Sequence, residues 1–285
     1  MTDLVAPLYI KTVAVQYYRM HCLIRHLLAG VLIFTAAAGK SQTEEVAAPI
    51  ECDGSYAKHL QGVCRDGEGN LFWSFTTELV KTDPNGKLIQ KVAVADHHGD
   101  LCFTDGKVYV AVNLGKFNDP KGNADSWVYV YDAGDLRELS KHAVPEVFHG
   151  AGGMDVRDDH FFVVGGLPEG VAENYVYEYD PKFRFVKKHI IKSGWTLLGI
   201  QTAAWHDGAW WFGCYGKPAE LVKAGPNFQM QGKSKFNGSL GIFGVAPGKF
   251  MIATGPKTEA GKHLGILHEA RVNEAGSLEL IPAKK

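Results

Sequence analysis

The chain has 285 residues, 46% of them hydrophobic, and a net charge of −1. That length and apolar content suffice for one or two domains with a sizeable core. The near-neutral balance, with no basic stripe, argues against a nucleic-acid partner, because phosphate binding needs clustered Lys and Arg.

At the N-terminus, Arg25 and His26 precede an apolar stretch from Leu27 to Phe34, then Thr35, three alanines and Gly39. A charged start, a short apolar centre and small residues predict a secretory signal peptide. The stretch from Leu27 to Ala38 is too short to span a bilayer, which takes roughly 20 residues. A buried core helix is the alternative for this segment. Residues 1–19 lie upstream of the signal, so Met20 is the expected true start and cleavage is expected after Ala38 or Gly39. The mature protein is therefore expected to be secreted or periplasmic, with no membrane span. The domain plan is a superfluous N-terminus plus signal over 1–39, a linker over 40–50, and one domain over 51–285.

Cleavage would remove Cys22 and leave Cys52, Cys64, Cys102 and Cys214. Cys64 and Cys102 fall on the innermost strands of neighbouring units, where they either pair or stay as buried thiols. No C-x-x-C is present, so neither a zinc ribbon nor a thioredoxin-type site is suggested.

Past the linker, five turn signals are each followed by an aromatic-rich apolar run. They are Asp66-Gly67, Asp105-Gly106, Asp158-Asp159, Asp207-Gly208 and Pro247-Gly248. They recur about every 45 residues, the period of a β-propeller blade. The first unit has strands at Leu60–Arg65, Leu71–Thr76, Leu79–Asp83 and Lys87–Val94, with Pro84-Asn85-Gly86 as the last turn. The second has Leu101–Thr104, Val108–Val112, Trp127–Asp132 and Leu136–Ala143. The third has Gly153–Val156, Phe161–Val164, Tyr175–Asp180 and Phe185–Ile191. The fourth has Gln201–Trp205, Ala209–Gly213, Glu220–Lys223 and Met230–Phe236. The fifth has Leu240–Val245, Lys249–Ala253, Leu264–Val272 and Ser277–Ile281. The expected fold is all-β: a five-bladed propeller of four-stranded antiparallel blades, closed by a strand from residues 47–53. A sixth, degenerate blade is the alternative, but the residue count leaves little room for it.

The segments LVKTDPNGKL (79–88) and VYEYDPKFRFVKK (176–188) carry a resemblance to the NHL, YVTN and gluconolactonase-type propellers, over most of residues 50–282. The resemblance implies the fold. It implies little about activity, since such propellers include lyases, lactonases, lectins and scaffolds. Gluconolactonase-type propellers hold a metal with acidic and Asn ligands at several blade tips. No equivalent set stands in this chain.

Histidines cluster at the expected starts of the inner strands: His59, then His97 and His98, then His149. In a propeller these starts gather at one mouth. Three of them, His59, His98 and His149, are candidate ligands of one divalent metal ion, with Asp100 orienting or adding a carboxylate. The same residues are alternatively a polar pocket without metal, or structural. The candidate catalytic residues are His59, His98, His149 and Asp100. Gln61, His97, Gln201, Tyr215 and Lys217 are candidates for substrate binding. The long loops Leu114–Ser126 and Gly166–Asn174 would join this face, bringing Lys116, Asn118, Asp119, Asp125, Glu169 and Glu173. Thr76, Thr77, Glu78, Lys257 and His263 belong to its shorter loops. His142, His160, His189, His206 and His268 read as surface residues, and Trp73, Trp205, Trp210 and Trp211 as packing between blades, with exposed stacking platforms as the alternative.

No nucleophile-elbow, dinucleotide, P-loop or zincin motif is present. The expected function is an exported propeller with a His-lined site, a metal-dependent lyase or hydrolase acting on a saccharide or similar polar metabolite. The alternative is a non-catalytic module that binds a glycan or protein.

Overall fold

The computed structural model describes residues 48–282. The expected signal peptide, the Met20 start and most of the linker lie outside them. No helix among the described residues is long and apolar enough to cross a membrane.

The described residues are all-β. The first group of strands is β1 (Ile50–Glu51), β2 (Gly62–Arg65), β3 (Leu71–Ser74), β4 (Thr76–Thr82) and β5 (Leu88–Thr104). Then follow β6 (Lys107–Asn113), β7 (Ser126–Asp132) and β8 (Glu138–Ala143). Next are β9 (Ala151–Arg157), β10 (His160–Gly165), β11 (Asn174–Tyr179) and β12 (Phe185–Ile191). The chain goes on to β13 (Leu197–His206), β14 (Ala209–Tyr215), β15 (Glu220–Ala224) and β16 (Met230–Lys235). It ends in β17 (Ile242–Ala246), β18 (Lys249–Thr254), β19 (Ile266–Val272) and β20 (Leu278–Leu280).

All five turn signals are turns. Asp105 and Gly106 have φ of 49° and 70°, and Asp207 and Gly208 have 51° and 71°. Two successive positive-φ residues are what a tight two-residue hairpin needs, because its twist then matches that of the strands. At Pro84-Asn85-Gly86 the Asp83 carboxylate accepts the N–H of Asn85 at 2.8 Å and of Lys87 at 2.9 Å.

The pairing is antiparallel throughout. β9–β12 and β13–β16 form two four-stranded sheets, and β2–β8 run in sequence order through one seven-stranded sheet. That last sheet departs from the expected separate strands at Lys87–Val94 and Leu101–Thr104, which are one continuous β5. Residues 95–100 carry no turn and stay extended. β5 pairs β4 through Leu88–Ala93 and β6 through Leu101–Thr104, so it serves two four-stranded groups. In the remaining sheet β18 lies between β17 and β19. β1 pairs β19 at Leu267 and Ile266, and β20 pairs it at Ala270–Val272. The first and last described strands thus share one sheet edge.

The innermost strands touch in a closed order, β2 to β5 to β9 to β13 to β17 and back to β2. Five apolar clusters fill the gaps between successive groups. One joins Leu79 and Phe72 to Val110 and Tyr129, the next Val130 and Tyr109 to Phe161 and Met154, and the third Phe162 and Val176 to Phe212 and Val222. The others join Trp211 and Leu221 to Phe250 and Ile252, and Met251 and Leu267 to Trp73 and Val80. This arrangement is compatible with a propeller. Trp73, Trp210 and Trp211 are fully buried within it. The inner strands approach closely: a Cβ on Gly99 would collide with the Gly152 carbonyl, and one on Gly153 with that of Gln201.

Cys52, Cys64, Cys102 and Cys214 are buried free thiols, so the Cys64–Cys102 pair does not form a disulfide. Burial pushes Cys52 and Cys214 up to about 12, and Cys64 and Cys102 well above the usual thiol range. Only a thiolate attacks a thiol reagent. These four cysteines are therefore expected to react with a disulfide reagent at pH 8 only after denaturation. Fast labelling of any of them in the folded protein, followed by peptide mapping, would contradict this packing.

Candidate functional site

A cavity of about 420 Å³ lies where the starts of the inner strands meet. It is lined by His59, Gln61, His97, Gln201 and Tyr215, all expected from the sequence, and by Asp96, Asn113, Leu114, Phe117 and Leu198.

Gln61 precedes β2 and is anchored by its backbone N–H on the Ser74 carbonyl at 2.8 Å. Its amide nitrogen faces His59 Nε2 at 2.9 Å and also contacts His97 Nε2. The Tyr215 hydroxyl donates to its Oε1 at 3.4 Å. One buried amide therefore ties two imidazoles to a tyrosine. The rings of His59 and His97 are 6.0 Å apart, and the His263 ring stands 5.9 Å from that of His59. Burial, with His97, His263, Lys257 and Lys58 nearby, lowers His59 to about 4. Burial also lowers His97, opposed by Asp96 at 3.4 Å from its Nδ1. Both imidazoles are thus neutral at physiological pH, and while each Nε2 is held by the Gln61 amide the group each ring has left to offer is its Nδ1–H. Burial raises the Tyr215 hydroxyl to about 12.

His98 does not share this site. Successive side chains of a strand point to opposite faces, so with His97 on the cavity, His98 enters the core. It is fully buried, its Nδ1 donating to the Ala95 carbonyl at 2.7 Å and its Nε2 accepting from the Tyr131 hydroxyl at 2.7 Å. A metal there would have to displace both partners. His149 lies before β9, away from the cavity lining; its Nδ1 donates to the Asp119 carbonyl at 3.2 Å. That bond ties down the 114–126 loop, which brings Leu114 and Phe117 to the cavity. Among the described residues no group of three or more His, Cys, Asp or Glu is placed to hold a metal ion. The structure brings His59 together with His97 and His263, in place of His98 and His149.

Asp100 is likewise buried behind the inner strands, at 1% exposure. Its carboxylate accepts the Ala203 N–H at 3.1 Å and also bonds the backbone of Leu101 and Val63. It clamps β2, β5 and β13 and is not part of the cavity lining. Lys217 is exposed and outside the lining. Gln201 does line it, its amide donating to the Leu198 carbonyl at 2.7 Å.

Two of the histidines expected on the surface are half-buried partners of one acid. Glu178 accepts from His160 Nδ1 and from His189 Nε2, each at 2.6 Å. The apolar lining residues Leu114, Phe117 and Leu198 carry no motif; they are found only through the fold.

No protein-family model matches the chain, and no curated protein does. Among solved structures, a protein of unknown function from Bacteroides caccae is similar, at 14% identity with a TM-score of 0.49, over 78% of this chain and 89% of that one.

Proposed function

We propose that the described residues form a five-bladed β-propeller whose cavity binds a small polar metabolite of about saccharide size. The closed order of the five inner strands and the five intervening cores supports the blade count. In that cavity a ligand that draws the Gln61 amide away frees Nε2 of His59 and His97 to transfer protons, as a lyase or hydrolase requires. The observation that carries this is the pair of half-buried, neutral imidazoles joined through Gln61 on the wall of a half-open cavity. Charged imidazoles could not both accept from the Gln61 amide. The apolar stretch Leu27–Phe34, with the small residues after it, supports export.

A binding module without turnover is favoured by one observation: Asp96 is the one acid in the cavity lining. No carboxylate pair of the glycosidase kind stands there.

His59→Ala and His97→Ala separate these roles from a structural one. Both side chains are half-buried, so each change is expected to cost about 1 kcal/mol of stability or less. Calorimetry against a panel of monosaccharides, sugar acids and small apolar carboxylic acids is the measurement. Binding lost in both variants, with melting temperature kept, is the expected result. Variants that bind like the wild type, or that unfold, would remove the two histidines from function.

A further inference from the structure

The two sides of the cavity differ in chemistry. On one side, both hydrogens of the Gln61 amide point to the Nε2 atoms of His59 and His97. Those nitrogens therefore carry lone pairs, and the proton of each neutral ring sits on Nδ1. For His97 that N–H faces Asp96. For His59 it is the donor offered to a ligand. Lys58 and Lys257, both exposed and outside the lining, lie close enough to His59 to disfavour a further positive charge on it. Lys257 bridges to His263 in an isolated β-pair, which fixes this cationic edge beside the ring. The one acid in the lining, Asp96, is already turned to His97.

On the other side stand Leu114, Phe117 and Leu198. Leu114 is 41% exposed and Leu198 36%. Apolar surface left open inside a concave site is what a ligand's apolar part covers. Phe117 is held in place by Gly150, where any Cβ would strike its ring.

Resting on the reading that this cavity binds a small metabolite, we infer that its ligand is a small carboxylic acid with an apolar body. The carboxylate takes the His59 N–H beside Lys58 and Lys257. The body lies against Leu114, Phe117 and Leu198. A bare polyol satisfies neither half: it lacks the charge that the lysines beside His59 would attract and the apolar face for the opposite wall.

Ligand-observed NMR on the full chain, with benzoate, benzyl alcohol and glucose as probes, tests this. Benzoate is expected to bind at least tenfold more tightly than benzyl alcohol, and glucose not at all. Lys257→Gln is expected to weaken benzoate several-fold and leave benzyl alcohol unchanged; Leu198→Asp is expected to abolish both. Equal binding of benzoate and benzyl alcohol would overturn the carboxylate assignment. Glucose binding without either aromatic probe would overturn the whole inference while leaving the cavity a metabolite site. Failure of all three probes would overturn both.

Discussion

Asp100→Ala is expected to lower the stability of the protein by about 4 kcal/mol, since it strips the acceptor from three buried backbone N–H groups at about 1–3 kcal/mol each. For a domain of this size that is a fall of about 10 °C in melting temperature. The three groups belong to Val63, Leu101 and Ala203, on β2, β5 and β13. Loss of the carboxylate therefore loosens three of the five inner strands at once. Asp100→Asn keeps one acceptor and turns the other into a donor, so it is expected to recover part of the loss. Gly62→Ala acts on the same contact from the opposite strand, because its Cβ would strike the Asp100 carboxylate and backbone. Urea unfolding of the three variants is the check. An Asp100→Ala protein as stable as the wild type that had lost ligand binding would return Asp100 to the site.

The second large effect is on acid stability. Burial lowers His98 to about 4, whereas an unfolded histidine titrates near 6.5. The unfolded chain therefore takes up the proton first. Stability contributed by neutral His98 is complete above pH 6.5 and is lost as pH falls toward 4, by about 3 kcal/mol in all. His59, also lowered to about 4, adds in the same direction, less strongly because it is partly exposed. Asp155 works the other way: burial raises it to about 7, so its protonation stabilises the fold as pH falls from 7. The difference between two proteins isolates His98. His98→Gln is expected to be less stable than the wild type at pH 7 and to lose less on going to pH 4. Parallel stability curves over that window would show that His98 does not titrate there.

Much of the fold was legible because its signals are local. Asp-Gly and Pro-Asn-Gly turns encode their own φ values, and aromatic runs after them encode half-buried strands. The continuity of β5 was not legible, since residues 95–100 lack both turn chemistry and strand alternation. The site was legible in part. His59 and Gln61 stand just before β2, His97 and Gln201 lie within β5 and β13, and Tyr215 ends β14, yet all five line one cavity. Adjacent histidines in a strand must face opposite ways, which alone would have separated His97 from His98. Asp100 differs: its burial follows from the approach of β2 and β13, a contact spanning more than a hundred residues. The Glu178 cluster needed the register of β10, β11 and β12, which residue types do not carry. Leu114, Phe117 and Leu198 look like ordinary loop and strand residues until the fold places them around a space.

The most direct test of the site is the protonation of its two imidazoles. In nitrogen-15 spectra of histidine-labelled full chain at pH 7, His59 and His97 are predicted to be neutral, each with its proton on Nδ1, as the shared Gln61 amide requires. Charged rings at pH 7, or a proton on Nε2 of either, would contradict the Gln61 bridge and with it the site built around it.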